Sequence, residues 1–233
     1  MGSVAGPSEG ILWGSVAGPH ARLTCIVSGS PDQPSRLSRT FILVTALGFA
    51  VGVLTVVGQG GLPGNWTTLA NSGAVWLTAA FLVGSFMPTD RVAAAAGVMT
   101  LVWAVFGYYV SVPFIVEGAA ADARSVAIWV MVALAGGPVF GMAGRWWHSD
   151  RLVRRIAASA LLGGVFFAEG LDRTLRNPHL GAVGWTMMAI GVAIPLILGR
   201  RNKERLGGLA AELPVILAAL GAYWIINSAF LWS

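Results

Sequence analysis

The sequence predicts an all-α protein, a polytopic membrane bundle of seven transmembrane helices with its N-terminus inside and its C-terminus outside. Two observations carry that prediction: the length of the apolar runs, and the placement of the 15 basic residues between them. Hydrophobic residues make up 56% of the 233-residue chain and charged residues only 11%, with a mean hydropathy of +0.73. Soluble domains usually carry about 25% charged residues. Apolar runs of roughly 18 residues or more read as membrane-crossing helices. No period-2 alternation argues for a barrel, so helices, which satisfy their own backbone in lipid, are the default.

The expected spans are, in order, about 40–58, 66–87, 92–116, 125–143, 156–171, 181–199 and 209–231. The first (TFILVTALGFAVGVLTVVG) has basic flanks like a signal peptide. Its apolar run exceeds a usual h-region and lacks a cleavage site, so it is expected to stay as an uncleaved anchor. The second has a polar start, and the fifth is short. Residues 39–233 form the expected transmembrane domain. The preceding stretch, 1–38, repeats GSVAGP at 2–7 and 14–19 and carries Pro31, Asp32 and Pro34. It is expected to be a disordered tail. Cys25, the only cysteine, lies in it and can form neither an intrachain disulfide nor a thiolate metal cluster.

With the N-terminus on side one, that side receives Arg22, Arg36, Arg39, Arg91, Arg145, Arg151, Arg154, Arg155, Arg200, Arg201, Lys203 and Arg205. The other side receives only Arg124, Arg173 and Arg176. Short loops rich in Lys and Arg stay cytoplasmic, so this imbalance orients the chain in a cell membrane. A missed or false span would scramble it. The net charge of +5 is then a topology signal, aided by anionic lipid, and calls for no nucleic acid.

Gly48 and Gly52, and Gly137 and Gly141, form GxxxG pairs that suit close helix packing or self-association. Pro138, Pro195 and Pro214 fall at one depth and suggest a shared layer of kinks. Trp66, Trp129, Trp185 and Trp232 mark one interface, and Trp146 and Trp147 the other.

Ionisable groups within apolar segments are costly and point to function. Glu169 lies 14 residues beyond Arg155, roughly 21 Å along the fifth helix. Arg173 follows at i+4 on the same face and can pair with it. Glu212 enters the seventh helix near the basic loop 200–205 and is expected to meet it. Gln59, Asn65, Asn71, Ser72, Tyr108, Tyr109, Tyr223 and Asn227 reach the depth of Glu169. These predict an outward-facing polar cavity bounded by Asn71, Tyr109, Glu169 and Asn227, with Arg173 at its rim. The uncharged stretch GQGGLPGNWTTLANSGAVW is the place for a loop that dips into the bundle.

The GQG and LANSGAVW segments of that stretch, followed by GYY, resemble a family of uncharacterised multi-pass membrane proteins common in actinobacteria. The resemblance covers roughly 43–231 and implies a membrane protein without an assigned activity, so it carries no catalytic residues over. The tail lies outside it.

Several classes are excluded. A retinal protein needs a lysine within a helix, and the only lysine, Lys203, falls in a loop. A eukaryotic-type seven-helix receptor has its N-terminus outside. His20, His148 and His179 lie outside the spans and lack metal-ligand spacing. No Walker A, GxSxG or HExxH motif is present. No cofactor, metal or catalytic residue is expected. The leading expectation is a small-solute permease or the membrane subunit of a transporter, with the lipid bilayer, a small solute and a second copy of the chain as partners. The alternative is a non-catalytic scaffold or assembly factor that recruits partners through its basic inner loops.

Overall fold

The computed structural model describes residues 36–115 and 122–231, and among these it is built from α-helices without a strand. The helices are α1 (Arg36–Gly61), α2 (Thr67–Ala70), α3 (Gly73–Ser85), α4 (Asp90–Ile115), α5 (Ala123–Trp147), α6 (Leu152–Arg176), α7 (Gly181–Leu198) and α8 (Asn202–Leu231). Single 3-10 turns precede α2 (Gly64–Trp66) and α7 (Pro178–Leu180). The tail with Cys25, its GSVAGP repeats and Trp232 lie outside the described residues.

Every expected span falls on helix, with two differences. The second is not one helix but a 3-10 turn, a single α-turn and then α3. The fifth is longer than its apolar core, because charged residues at both ends continue the helix. Among the described residues six stretches are long and apolar enough to cross a membrane: Thr40–Gly61, Gly64–Ser85, Asp90–Ile115, Ala123–Trp147, Pro178–Leu198 and Asn202–Phe230. The helix without that apolar character is α6. Its 25 residues reach about 38 Å, more than the roughly 30 Å hydrocarbon core. It is amphipathic, and its apolar face (Ala158, Leu162, Val165, Phe166) is buried in the protein rather than left on the surface.

Glycine sets how closely the helices approach. α1 lies on α4 because Gly48 meets the Thr100 carbonyl and Gly52 the Ala104 carbonyl. α5 meets α4 where Gly137 faces Gly97 and Val98, and where Gly141 faces the Ala93 carbonyl. α3 joins them through Gly84 against Gly141, and through Gly144 of α5 against the Phe81 carbonyl. Lipid supplies no hydrophobic drive between helices, so close backbone approach is the available source of packing energy. Both GxxxG pairs are used within the chain. α6 packs on α7 and α8 and borders α5 and α3. A core around Phe81, Leu101, Phe166, Val183 and Met187 runs through the interior.

Pro138, Pro195 and Pro214 all lie inside helices, Pro195 buried and Pro214 exposed. Another expectation changes: Glu212 does not meet the basic loop. Glu204, eight residues earlier, takes that role: its carboxylate pairs with Arg155 at 2.8 Å and accepts the Arg200 N–H at 3.0 Å. Glu212 lies two turns further along α8, buried, and one of its oxygens has no hydrogen-bond partner.

Candidate functional site

The second apolar segment is interrupted near its start, between α2 and α3. α2 ends at Ala70, Asn71 adopts φ −97° and ψ 46°, and Ser72 is extended at φ −97° and ψ 127°. A break within an apolar segment leaves N–H and C=O groups without helical partners, and each must be satisfied locally. Ser72 caps α3 by accepting the Val75 N–H at 3.3 Å. The preceding amide, that of Ala74, is satisfied from another helix. Glu169 of α6 accepts the Ala74 N–H through Oε2 at 2.8 Å. The same oxygen accepts the hydroxyls of Ser72 at 3.0 Å and Tyr223 at 2.8 Å.

The other carboxylate oxygen faces Arg173, one turn along α6, at 2.6 Å from Nη2 and 3.1 Å from Nε. Arg173 Nη2 also donates to the Asn71 carbonyl at 3.4 Å. The ion pair therefore grips both edges of the break, the carbonyl before it and the amide after it. Only 4% of the Glu169 side chain and 17% of the Arg173 side chain is exposed. The carboxylate also lies at the positive end of α3, an electrostatic gain of about 0.3–2 kcal/mol. A second pair stands beside the first. Asp172 binds Arg176 Nε at 2.6 Å, and Asn227 reaches its other oxygen at 3.5 Å.

In front of the break lies a cavity of about 280 Å³ lined by Asn71, Ser72, Gly73, Trp76, Tyr108, Tyr109, Trp129 and Phe230. Its wall is aromatic. Trp76 meets Tyr108 with ring centroids 5.9 Å apart and Trp129 at 6.1 Å, and Tyr108 stands edge-on to Tyr109 at 5.0 Å. The Trp76 indole N–H donates to Thr55 Oγ1 of α1 at 3.0 Å, which fixes the ring. The lining carries two small polar side chains, Asn71 and Ser72, and no charged one. It offers stacking surface and a few hydrogen bonds, the chemistry of a neutral, partly apolar ligand.

The five residues expected at the site therefore divide. Asn71 and Tyr109 line the cavity. Glu169 and Arg173 lie behind its Ser72–Gly73 wall and hold the break. Asn227 joins Asp172 and does not line the cavity. Ser72 and Tyr223 contribute more than their polarity alone suggests, since both ligate Glu169. Asp172 was readable from its i,i+4 spacing to Arg176. Trp129 faces the cavity, whereas Trp185 is exposed as an interface residue would be.

No curated protein and no solved structure matches the chain. Residues 31–229 match a family of unknown function, DUF6518. That stretch takes in nearly all of the described helical bundle, and the chain belongs to this family of unknown function.

Proposed function

We propose that the chain is a multi-pass protein of the cell membrane that binds a small solute in the cavity at the helix break, as a permease or as the membrane subunit of a transporter. In this reading α6 crosses the bilayer with the six apolar stretches, enclosed by its neighbours. The N-terminus is cytoplasmic, and the cavity faces outward with Arg124, Arg173 and Arg176. The observation that carries the reading is the interruption at Asn71–Ser72, which opens directly onto an aromatic-lined cavity. Interrupted spans at membrane depth persist where protein or a water-filled cavity surrounds them, and transporters place their solute sites there. The uncharged lining favours a small neutral solute with a flat or aliphatic body and one polar handle. The scaffold alternative draws less support: Arg154 and Arg155 are already paired with Asp90 and Glu204 within the chain.

The test is thermal stabilisation of the purified protein across a broad library of small solutes. A neutral compound that stabilises the wild type, and loses that effect in Trp129→Ala and Tyr109→Ala, is the expected outcome. Absence of any such compound, with a clean pull-down of a protein partner through the basic loops, overturns the reading in favour of a scaffold.

A further inference from the structure

Glu212 lies ten residues into α8, roughly 15 Å from its start, and is 3% exposed. It belongs to neither the cavity nor the charged pairs around Glu169. Three helices meet around it at glycines. A Cβ on Gly163 of α6 would collide with Glu212 Oε1, and the same position is 2.7 Å from the Gly191 carbonyl oxygen of α7. Gly164 lies against Val215, the residue that follows Pro214 on α8. One turn towards Arg155, Gly208 of α8 adjoins Ser159 Oγ and Pro195 in the same way.

Two acceptors thus crowd one point. Glu212 Oε1 has no hydrogen-bond partner. The Gly191 carbonyl lacks its normal i+4 donor, because that residue is Pro195 and proline has no N–H. Both oxygens lie close to the same Gly163 Cβ position, so a carboxylate there sits near a carbonyl oxygen in an apolar interior, and a buried charge without a partner is costly. A proton on the carboxyl removes that charge and offers the carbonyl an O–H.

Among the described residues, no charged side chain is seen against this point. α7 carries no titratable residue at all. On α6 the nearest are Arg155, eight residues before Gly163, and Glu169, six beyond it, and Glu169 is saturated by five hydrogen bonds. On α8 the nearest is Arg205, with Glu204 next to it and paired with Arg155. Gly163, which meets the carboxyl, and Gly191, which meets the same point, have no titratable side chain.

We propose that Glu212 is an intramembrane proton-binding site, whose carboxylate takes up one proton and shares it with the Gly191 carbonyl at the α6–α7–α8 junction. Uptake forms one O–H bond and neutralises the side chain; release restores the carboxylate and frees the junction to separate. Proton binding here does not depend on solute binding at the helix break.

The experiment is infrared difference spectroscopy of the full chain in lipid, between acidic and alkaline sodium-free buffers. The expected result is a carboxylic-acid carbonyl band that appears on acidification, is lost in Glu212→Gln and survives in Glu169→Gln. Glutamine mimics the neutral acid in shape, and Glu212→Asp, which keeps the carboxyl, should shift the band rather than abolish it. A band that is the same in Glu212→Gln and Glu212→Asp as in the wild type overturns the proposal. A Glu212 band that never titrates makes the side chain a permanently neutral structural donor and also overturns it. So does a carboxylate signal that responds to added sodium and not to pH.

Discussion

Arg173 and Glu169, one turn apart on α6, hold opposite edges of the same interruption in a neighbouring segment: the arginine donates to the Asn71 carbonyl, and the glutamate accepts the Ala74 amide. Their mutual contact at 2.6 Å sets the spacing between those edges. The pair thus does structural work on α2 and α3 that neither residue could do alone.

Removing one partner leaves a buried charge uncompensated, which typically costs about 3–5 kcal/mol. Arg173→Met and Glu169→Gln should each destabilise the bundle by that order. Glu169→Gln paired with Arg173→Met removes both charges and should recover part of the loss. Reversible unfolding of the two single variants and the double variant measures the coupling. Additive losses would mean that the pair does not act as a unit.

Ser72 both caps α3 and donates to Glu169. Ser72→Ala should cost about 1–2 kcal/mol. The loss should be local, because α4 and α5 hold the rest of α3. Hydrogen exchange at the Val75 amide should accelerate roughly tenfold or more, with little change in α7, since 1.4 kcal/mol is a factor of ten in an opening equilibrium.

Glycines predict a contrast. A Cβ at Gly141 would run into the Ala93 backbone, whereas one at Gly60 meets nothing within 4 Å. Gly141→Ala forces α4 and α5 apart and should cost at least as much as core overpacking, about 1–3 kcal/mol. Gly60→Ala, at an open helical position, should be neutral or stabilising by about 0.5–1 kcal/mol. Unfolding midpoints of the two variants in one detergent decide it.

The course of α6 can be read chemically. In a Cys25→Ser background, His148→Cys and Asn177→Cys place thiols at exposed positions before and after α6. An impermeant maleimide applied to sealed cells should label Asn177→Cys and spare His148→Cys. Equal labelling of both would mean that α6 does not cross.

The apolar segments were legible because helices long and apolar enough to cross a membrane show as long runs in the sequence itself. The break was harder to see: TTLANSGAVW is apolar enough to pass for a continuous helix. Its signal was the Asn71–Ser72–Gly73 run, turn residues followed by a helix cap. Glu212 misled for a geometric reason. Its position in sequence lies near the basic loop, but eight residues of α8 separate Glu204 from Glu212, about 12 Å. Only the packing of α6 and α7 shows which of the two glutamates the loop receives and which is enclosed by glycine. Glu169 and Arg173 were visible through i,i+4 spacing, but their grip on a different segment is tertiary and leaves no local trace.

The helix break also decides what the neighbouring cavity refuses. The start of α3 would be a natural cradle for a phosphate or a carboxylate, but the protein has seated its own carboxylate there, with a guanidinium already spent on it. An incoming anion would find the Ala74 amide and the Arg173 guanidinium already taken by Glu169. If the cavity takes a solute as proposed, discrimination against anions would be a by-product of the bond that keeps the interrupted segment intact, and loosening one would relax the other.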